Sequence, residues 1–387
     1  MLKLSRRAVL ATAAVFLATS AHAQEPVKIG LVAALSGMSA ISGEAITRGL
    51  TVAIDEINAK GGVLGGRKIA LIRRDDESNP SKGVAAAREL IFREKVAALF
   101  GGIDTPVSLA IVPIANAEKV PFMGVWAAGT GITRNGANPN YVFRVSAVDE
   151  IVDLALTQYA MKTFGAKQPG MMLINNPWGE GNRIGLTKAA AALGIKNAGA
   201  EKFEVADVDM VPQLTRLKGA GADAIVLVSN AAPAAQVIRS LDRMGWDVPV
   251  ISHWGISGGR FPELAGPTAE KVHFVQTYSF FGPQNEAGQR VLAAIKAMYP
   301  AVKGPEDMIA PVGTANAYDA MHLTALAIQK AGGAGGEAIR KAMYQIGPYK
   351  GLIKTYEKPF TEASHDALGA NDYVMVRYKG DHIVPVK

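Results

Sequence analysis

The residues 96–120, VAALFGGIDTPVSLAIVPIANAEKV, place the glycine pair Gly101-Gly102 and then Asp104, Thr105 and Pro106 between a short apolar run and an apolar series at helical spacing. That order reads strand, turn, helix start. Thr105 is placed to cap the helix and Pro106 to take its first position. The free amides there, with the helix dipole, favour an anion such as a small carboxylate. Capping alone also accounts for Thr105, so the other strand ends must decide between a cap and an anchor.

Other chemistry finds little support. The chain has no cysteine, which removes disulfides, thiolate nucleophiles and Cys-type zinc sites. There is no GxGxxG after the first strand, no GxxxxGK[ST], no GxSxG and no HExxH. A nucleotide-binding enzyme on a Rossmann fold is the rival of a different class, and the missing phosphate loop speaks against it. The six histidines are scattered without metal-ligand spacing. Of these only His253 falls at a strand end, where donating a hydrogen bond or packing suits it better than acting as a base. Asp75-Asp76 reads as a solvated turn, since adjacent side chains on a strand point to opposite faces. No catalytic residue, metal site or cofactor is expected.

The elements that must position Thr105 alternate regularly. Residues 27–34 (VKIGLVAA) form a buried strand, residues 43–60 an amphipathic helix with Ile46, Leu50, Ile54 and Ile57 on one face, residues 68–74 a second strand and residues 84–93 the next helix. Residues 120–126 are a further strand. The alternation restarts with strands over 168–174 and 224–229, each leading into a loop and a helix, and a strand over 248–252 that ends at His253-Trp254-Gly255. Residues 284–346 read as helical, and residues 350–387 as strands and turns. The pattern predicts two similar α/β lobes with parallel sheets and helices on both faces. No low-complexity linker separates them, so the chain crosses more than once, near residues 146–149, 276–278 and 350–352.

In open α/β sheets ligands bind outside the carboxyl ends of the strands. Three of the four tryptophans, Trp126, Trp178 and Trp254, fall at such ends, along with Asp104, Thr105, Ala127, Ala128, Asn230 and His253. Ser42, just ahead of the first helix, completes the candidate set. Any one tryptophan there is a packing residue by default. Three at equivalent ends of two lobes would line a shared cleft facing Thr105, suited to a planar or apolar body.

Hydrophobic residues make up 49% and charged ones 19% of 387 residues, as in a folded two-lobed protein. The start, MLKLSRRAVLATAAVFLATSAHAQ, carries Lys3, Arg6 and Arg7 ahead of an apolar run and Ala21-His22-Ala23. It reads as an export signal over residues 1–23, Sec or twin-arginine, which places the mature chain in the periplasm. Its removal lowers the formal net charge of +7 by three. The remaining excess is spread along the chain and makes no case for nucleic-acid binding.

LVAALSG, IDEINAKGGVLGG, DDESNP, NNPWGEG and QLTRLKGAGADAIVLV, with the 96–120 segment, together resemble the periplasmic solute-binding proteins of branched-chain amino-acid ABC transporters, the leucine-binding-protein type. The resemblance runs from about residue 27 to the carboxyl end. It implies a type I periplasmic binding protein fold: α/β, two Rossmann-like lobes with parallel sheets joined by a three-crossover hinge. Lobe 1 would take residues 27–147 and 277–350, and lobe 2 residues 148–276 and 351–387. The partners implied are one small-molecule ligand and an ABC permease and ATPase complex in the membrane. In amino-acid-binding members a Ser or Thr after the third strand holds the ligand carboxylate, which is Thr105 here, beside Asp104. The next loop supplies a carbonyl and a hydroxyl, falling on Trp126 and Ala128 around Ala127, so one hydroxyl is missing. An aromatic contact falls on Trp178 and a second-lobe tyrosine on Asn230. The acid that pairs with an α-ammonium falls on Trp254, next to His253. A buried ammonium without an acid costs several kcal/mol, so an aromatic or apolar carboxylate is expected ahead of an amino acid. Local misalignment, or another acid such as Glu180 or Asp104 in that role, would restore the amino acid. A ligand sensor of the same fold is the remaining alternative.

Overall fold

The computed structural model describes residues 24–386. The export signal read over residues 1–23 lies outside them. The first sheet is built from five parallel strands, β1 (Val27–Ala33), β2 (Ile69–Asp75), β3 (Ala98–Gly101), β4 (Phe122–Gly124) and β5 (Val142–Arg144). Its spatial order is β2-β1-β3-β4-β5. Between these strands run the helices α1 (Ala40–Ala59), α2 (Pro80–Phe92), α3 (Thr105–Ala117) and the single turn α4 (Thr130–Thr133). Helices cover both faces, and β3, β4 and β5 are accordingly buried at every residue.

The chain then enters a second sheet through α5 (Asp149–Phe164), β6 (Gly170–Ile174), α6 (Pro177–Leu193), β7 (Gly199–Phe203), α7 (Val211–Gly219), β8 (Ile225–Val228), α8 (Ala231–Arg243), β9 (Val250–Ser252), α9 (Phe261–Ala265) and β10 (Val272–Gln276). It returns to the first lobe with α10 (Glu286–Met298), α11 (Pro311–Ala331) and α12 (Gly336–Met343), and α11 packs along α1. The hairpin of β11 (Tyr349–Lys350) and β12 (Thr355–Tyr356) follows, and β13 (Val374–Lys379) with β14 (His382–Pro385) finishes the second sheet. The order there is β14-β13-β10-β9-β8-β6-β7, parallel except at β13 and β14. In each sheet the strand order reverses once, between β1 and β3 and between β6 and β8. The crevices at those two switch points are where ligands of open α/β sheets settle.

The passages between sheets lie side by side. Asn316 of α11 donates to Val125 O at 3.1 Å and to Ser146 Oγ at 3.3 Å, and it accepts from Thr277 Oγ1 at 2.8 Å. Residues 146 and 277 thus meet at one point of α11 between the two sheets. Asp319 of α11 accepts from Leu352 N, Ile353 N and Tyr356 Oη, which holds the β11–β12 hairpin to the first lobe. Downstream, Phe360 packs edge-on against Phe143 and His365 stacks on it at 4.4 Å. Arg144 N donates to His365 O, and Ala367 N to Arg144 O. The chain leaves this edge of β5 only beyond residue 367.

Asp76 departs from the solvated turn expected of it. It is fully buried at the end of β2, its amide donating to Ala33 O and its Oδ1 accepting from Ser78 N. Among the described residues no helix is long and apolar enough to cross a membrane.

Candidate functional site

The turn after β3 fixes the first wall. Gly101 and Gly102 take φ of +130° and +59°, and a Cβ on Gly102 would lie 1.7 Å from Ser108 Oγ. Only glycine fits there. Gly102 N reaches Val32 O and Gly102 O receives Ala127 N, so the turn is tied to β1 and to the loop after β4. The residue that caps α3 is Asp104, at φ −92° and ψ 135°, and Thr105 is the first helical residue, with Pro106 after it. This shifts the expected cap by one position, with a physical consequence. The Asp104 carbonyl accepts from Ser108 N, but its side chain accepts from no helix amide; Oδ1 instead receives Asn230 Nδ2 at 3.0 Å from the opposite lobe, while the buried Oδ2 has no donor. Thr105 is 4% exposed.

Three successive carbonyls of the neighbouring loop are engaged inside the protein. Ser146 Oγ donates to Trp126 O at 2.9 Å, Arg144 Nη1 to Ala127 O at 3.3 Å, and Asp149 N to Ala128 O at 2.8 Å. Arg144 also holds Gly129 O, and it is wholly buried, donating through Nε to Asp366 Oδ1 at 2.7 Å and through Nη2 to Thr133 Oγ1 at 2.9 Å. With its acceptors turned inward, the loop offers donors. The amides of Thr105 and Ala128 meet no protein acceptor among the described residues. Together with the α3 dipole these amides suit a carboxylate, while Asp104 Oδ2, buried without a donor on the same wall, suits a hydrogen-bond donor.

The second wall is aromatic. Asn176 caps α6 by accepting from Trp178 N and Gly179 N, which presents the Trp178 ring one residue into the helix. Trp254 opens a 3-10 turn, Trp254–Gly258, after β9. Its amide donates to His253 Nδ1 at 3.0 Å. That bond assigns the proton to Nε2, which donates to Asp149 Oδ1 at 2.9 Å; Trp178 Nε1 donates to the same oxygen at 3.3 Å. His253 stands edge-on to both rings, with centroids 5.1 Å from Trp178 and 4.5 Å from Trp254. The histidine is a hydrogen-bond donor and spacer here.

Asp149 is the site residue that sequence reasoning did not single out. It starts α5, where the helix dipole favours a carboxylate, it is 1% exposed, and its Oδ2 is buried without a donor. One turn on, Asp153 is also buried without a donor; burial, then the charges of Asp149 and Glu150, raise its carboxyl well above the usual range. Glu180 lies at the surface instead, where hydrogen bonds from Arg183 and Lys202 hold its carboxyl down to about 2.

Nine of the ten candidates, Asp104, Thr105, Trp126, Ala127, Ala128, Trp178, Asn230, His253 and Trp254, line one cavity of about 10 Å³ between the lobes. That is room for about one water. The tenth, Ser42, is buried behind Trp126, its Oγ 3.5 Å from Gly258 O of the other lobe. Cavities of about 670 and 520 Å³ lie elsewhere, one beside Arg48 and Arg260 and one beside Trp246. Neither sits at a switch point of the sheets, so the small cavity is the candidate site. No cluster of three or more metal-ligating side chains occurs among the described residues.

Comparison with known proteins agrees with this geometry. Residues 26–382 match the periplasmic binding protein family. The Leu/Ile/Val-binding protein homolog 3 of Brucella melitensis is 25% identical over 339 residues, covering 87% of this chain and 88% of the relative. The structure is similar to a type 1 periplasmic binding protein from Bordetella pertussis, with a TM-score of 0.85 and 25% identity over 94% of this chain and 100% of that one. It is also similar to the leucine-binding protein LivK of Thermotoga maritima, with a TM-score of 0.83 and 23% identity over 93% and 98% of the two chains. Two parallel α/β lobes joined by three passages, a cleft at both switch points and this match over nearly the whole described chain make the protein a member of the periplasmic binding protein family, which binds solutes and is not enzymatic.

Proposed function

We propose that this chain is the exported, ligand-capturing subunit of an ABC importer of the branched-chain amino-acid transport type, and that it takes a small carboxylate with an apolar or aromatic body. The carrying observation is that the loop after β4 has its carbonyls sealed and amides left over, beside Thr105, although Asp104 Oδ2 stays open as an acceptor on the same wall. Thr105 and Ala128, whose amides meet no protein acceptor, line the cavity, while the carbonyls of Trp126, Ala127 and Ala128 are occupied internally. Trp254 stands where an ammonium would need an acid. The ligand bridges the walls, stabilises the closed arrangement and so presents the closed form to a permease and ATPase complex. The first lobe is read as residues 27–147 and 277–367 and the second as 148–276 and 368–386, because residues 349–367 hold to α11 and β5.

An amino acid is the second reading, and Asp149 favours it, since its buried Oδ2 without a donor could receive an ammonium. A phenolic hydroxyl would satisfy the same oxygen. Proteins of this fold take both kinds of ligand. LivJ of Streptococcus pneumoniae was solved with isoleucine and a Rhodopseudomonas palustris solute-binding protein with 4-hydroxybenzoate, at 24% and 20% identity to this chain. Those identities speak for the fold alone. A thermal-shift screen of aliphatic and aromatic carboxylates against amino acids tests the choice. A ligand at 100 times its Kd adds about 2.7 kcal/mol of stability. Stabilisation by leucine or valine and by no other carboxylate would reverse the preference.

A further inference from the structure

A second space shares a lining residue with the inner cavity. Thr105 lines both that cavity and a groove of about 380 Å³ between the lobes, which Asp149 also lines. One bank is formed by Leu109 of α3 and the turn at Gly129 and Gly131, the other by Gly181, Ile184 and Lys188 of α6. Across it Arg134 of the first lobe pairs with Glu150 of the second.

Two features mark this groove as built for an occupant. The first is Gly181, which stands inside α6 although nothing lies within 4 Å of the position a Cβ would take and its φ is not positive. Apart from proline, glycine is the least favourable residue inside a helix, and its uncrowded backbone leaves room for a ligand to approach closely. Beside it Ile184 is 45% exposed, a large aliphatic side chain without cover. The second is Asp149, almost wholly buried, with one carboxylate oxygen lacking a donor. The inner cavity, by contrast, is filled by its own rings, and ligand pockets run to roughly 300–1,000 Å³.

We propose that the ligand is an elongated carboxylate whose head is held at Thr105 and whose apolar chain runs outward past Asp149 and over Gly181 and Ile184, instead of inward among the tryptophans. This rests on the carboxylate reading of Thr105 and adds the chain's direction and length. A hydroxyl or amino group near the head would meet Asp149 Oδ2, and the chain's far end would lie near Lys188.

Titration calorimetry of the mature protein with butanoate and octanoate, and with 4-hydroxybenzoate and 4-butoxybenzoate, tests it. Each buried methylene strengthens binding roughly fourfold, so the longer member of each pair should bind at least tenfold tighter. Gly181→Leu, with open space for its side chain, should cancel that gain while leaving the short members within twofold. Ile184→Ser, at a half-exposed position, should reduce the same gain and decides the matter if Gly181→Leu fails to fold. Equal affinity across chain lengths, or a gain that survives both substitutions, overturns the elongated ligand and leaves the carboxylate reading standing. No binding by any carboxylate, short or long, overturns both.

Discussion

On the first-lobe wall of the cleft, Thr105 and the loop after β4 line the cavity, and the side chain that holds that loop, Arg144, stands behind. On the second-lobe wall, the rings of Trp178 and Trp254 line the cavity, and the acid bonded to Trp178 and His253, Asp149, sits at its edge. Both walls therefore depend on one buried charge, but of opposite sign and differently satisfied. Arg144 gives its N–H groups to Asp366, Thr133, Ala127 O and Gly129 O. Asp149 has one oxygen used twice and the other not at all. A fully satisfied charge is a scaffold, because removing it strands its partners. A half-satisfied one is poised for a further donor, which is what a binding site needs.

The largest effect is expected from breaking the scaffold. Arg144→Met leaves the Asp366 carboxylate, which is 9% exposed, without its partner, together with two buried carbonyls. Breaking a buried pair from one side costs about 3–5 kcal/mol, to be read by urea unfolding. A loss below about 1 kcal/mol would mean that other groups hold the loop and that the contrast between walls is false.

Behind the first wall, Asp76 gives the next effect. Burial, with the nearby Asp104 and Asp75 carboxylates adding to it against the Ser78 amide, pushes its carboxyl up to about 7. An unfolded Asp titrates near 3.9, so the folded chain binds the proton more tightly. The stability this group contributes is complete below about pH 4 and is lost as pH rises through about 7. Asp76→Asn should flatten stability between pH 5 and 8 and be the more stable form at pH 8, by about 4 kcal/mol at most. Asp153, raised by burial and by Asp149 and Glu150, has the same sign behind the second wall, so Asp153→Asn should act likewise. Parallel pH profiles of thermal unfolding for variants and parent would sink this account.

Much of this was legible in the sequence, and what was not has a physical cause. Strand and helix alternate visibly because parallel strands covered on both faces must be apolar nearly throughout, as residues 27–34 are apart from Lys28 at the strand's start. Thr105 showed itself through the glycines before it and the proline after it, which are local signals. The three tryptophans could be gathered because each falls at a strand end. Asp149 could not, since its sequence context is an ordinary acidic helix start. Its role is made by Ala128, Trp178 and His253, which lie 21, 29 and 104 residues away. The place of the β11–β12 hairpin is likewise set at a distance, by a carboxylate on α11, Asp319, 33 residues before Leu352. Burial of Asp76 also depends on tertiary packing that no window reveals.

Within the site the walls should respond unequally. Asp149→Ala removes the acceptor shared by Trp178 and His253 and should weaken ligand binding by about 2 kcal/mol, with a change in tryptophan emission as the rings loosen. Thr105→Val deletes one neutral donor while leaving the amides and the α3 dipole, and should cost about 1 kcal/mol. Calorimetry on the ligand found by screening ranks the two. An equal or reversed ranking would mean that the first wall, not the poised acid, dominates recognition.

Ser42 provides the smallest effect and the sharpest control. It spans the lobes, as Asp104 and Asn230 do, but its Oγ lies 3.5 Å from Gly258 O, at the outer limit of a hydrogen bond. Proximity across the cleft is therefore separated here from bonding strength. Ser42→Ala should change affinity by less than about 0.5 kcal/mol, whereas Asn230→Ala, which strips Asp104 of a 3.0 Å donor, should cost more. If Ser42→Ala proved as costly as Asn230→Ala, the closed form would be held by the packing behind Trp126, and the two walls would act as one body.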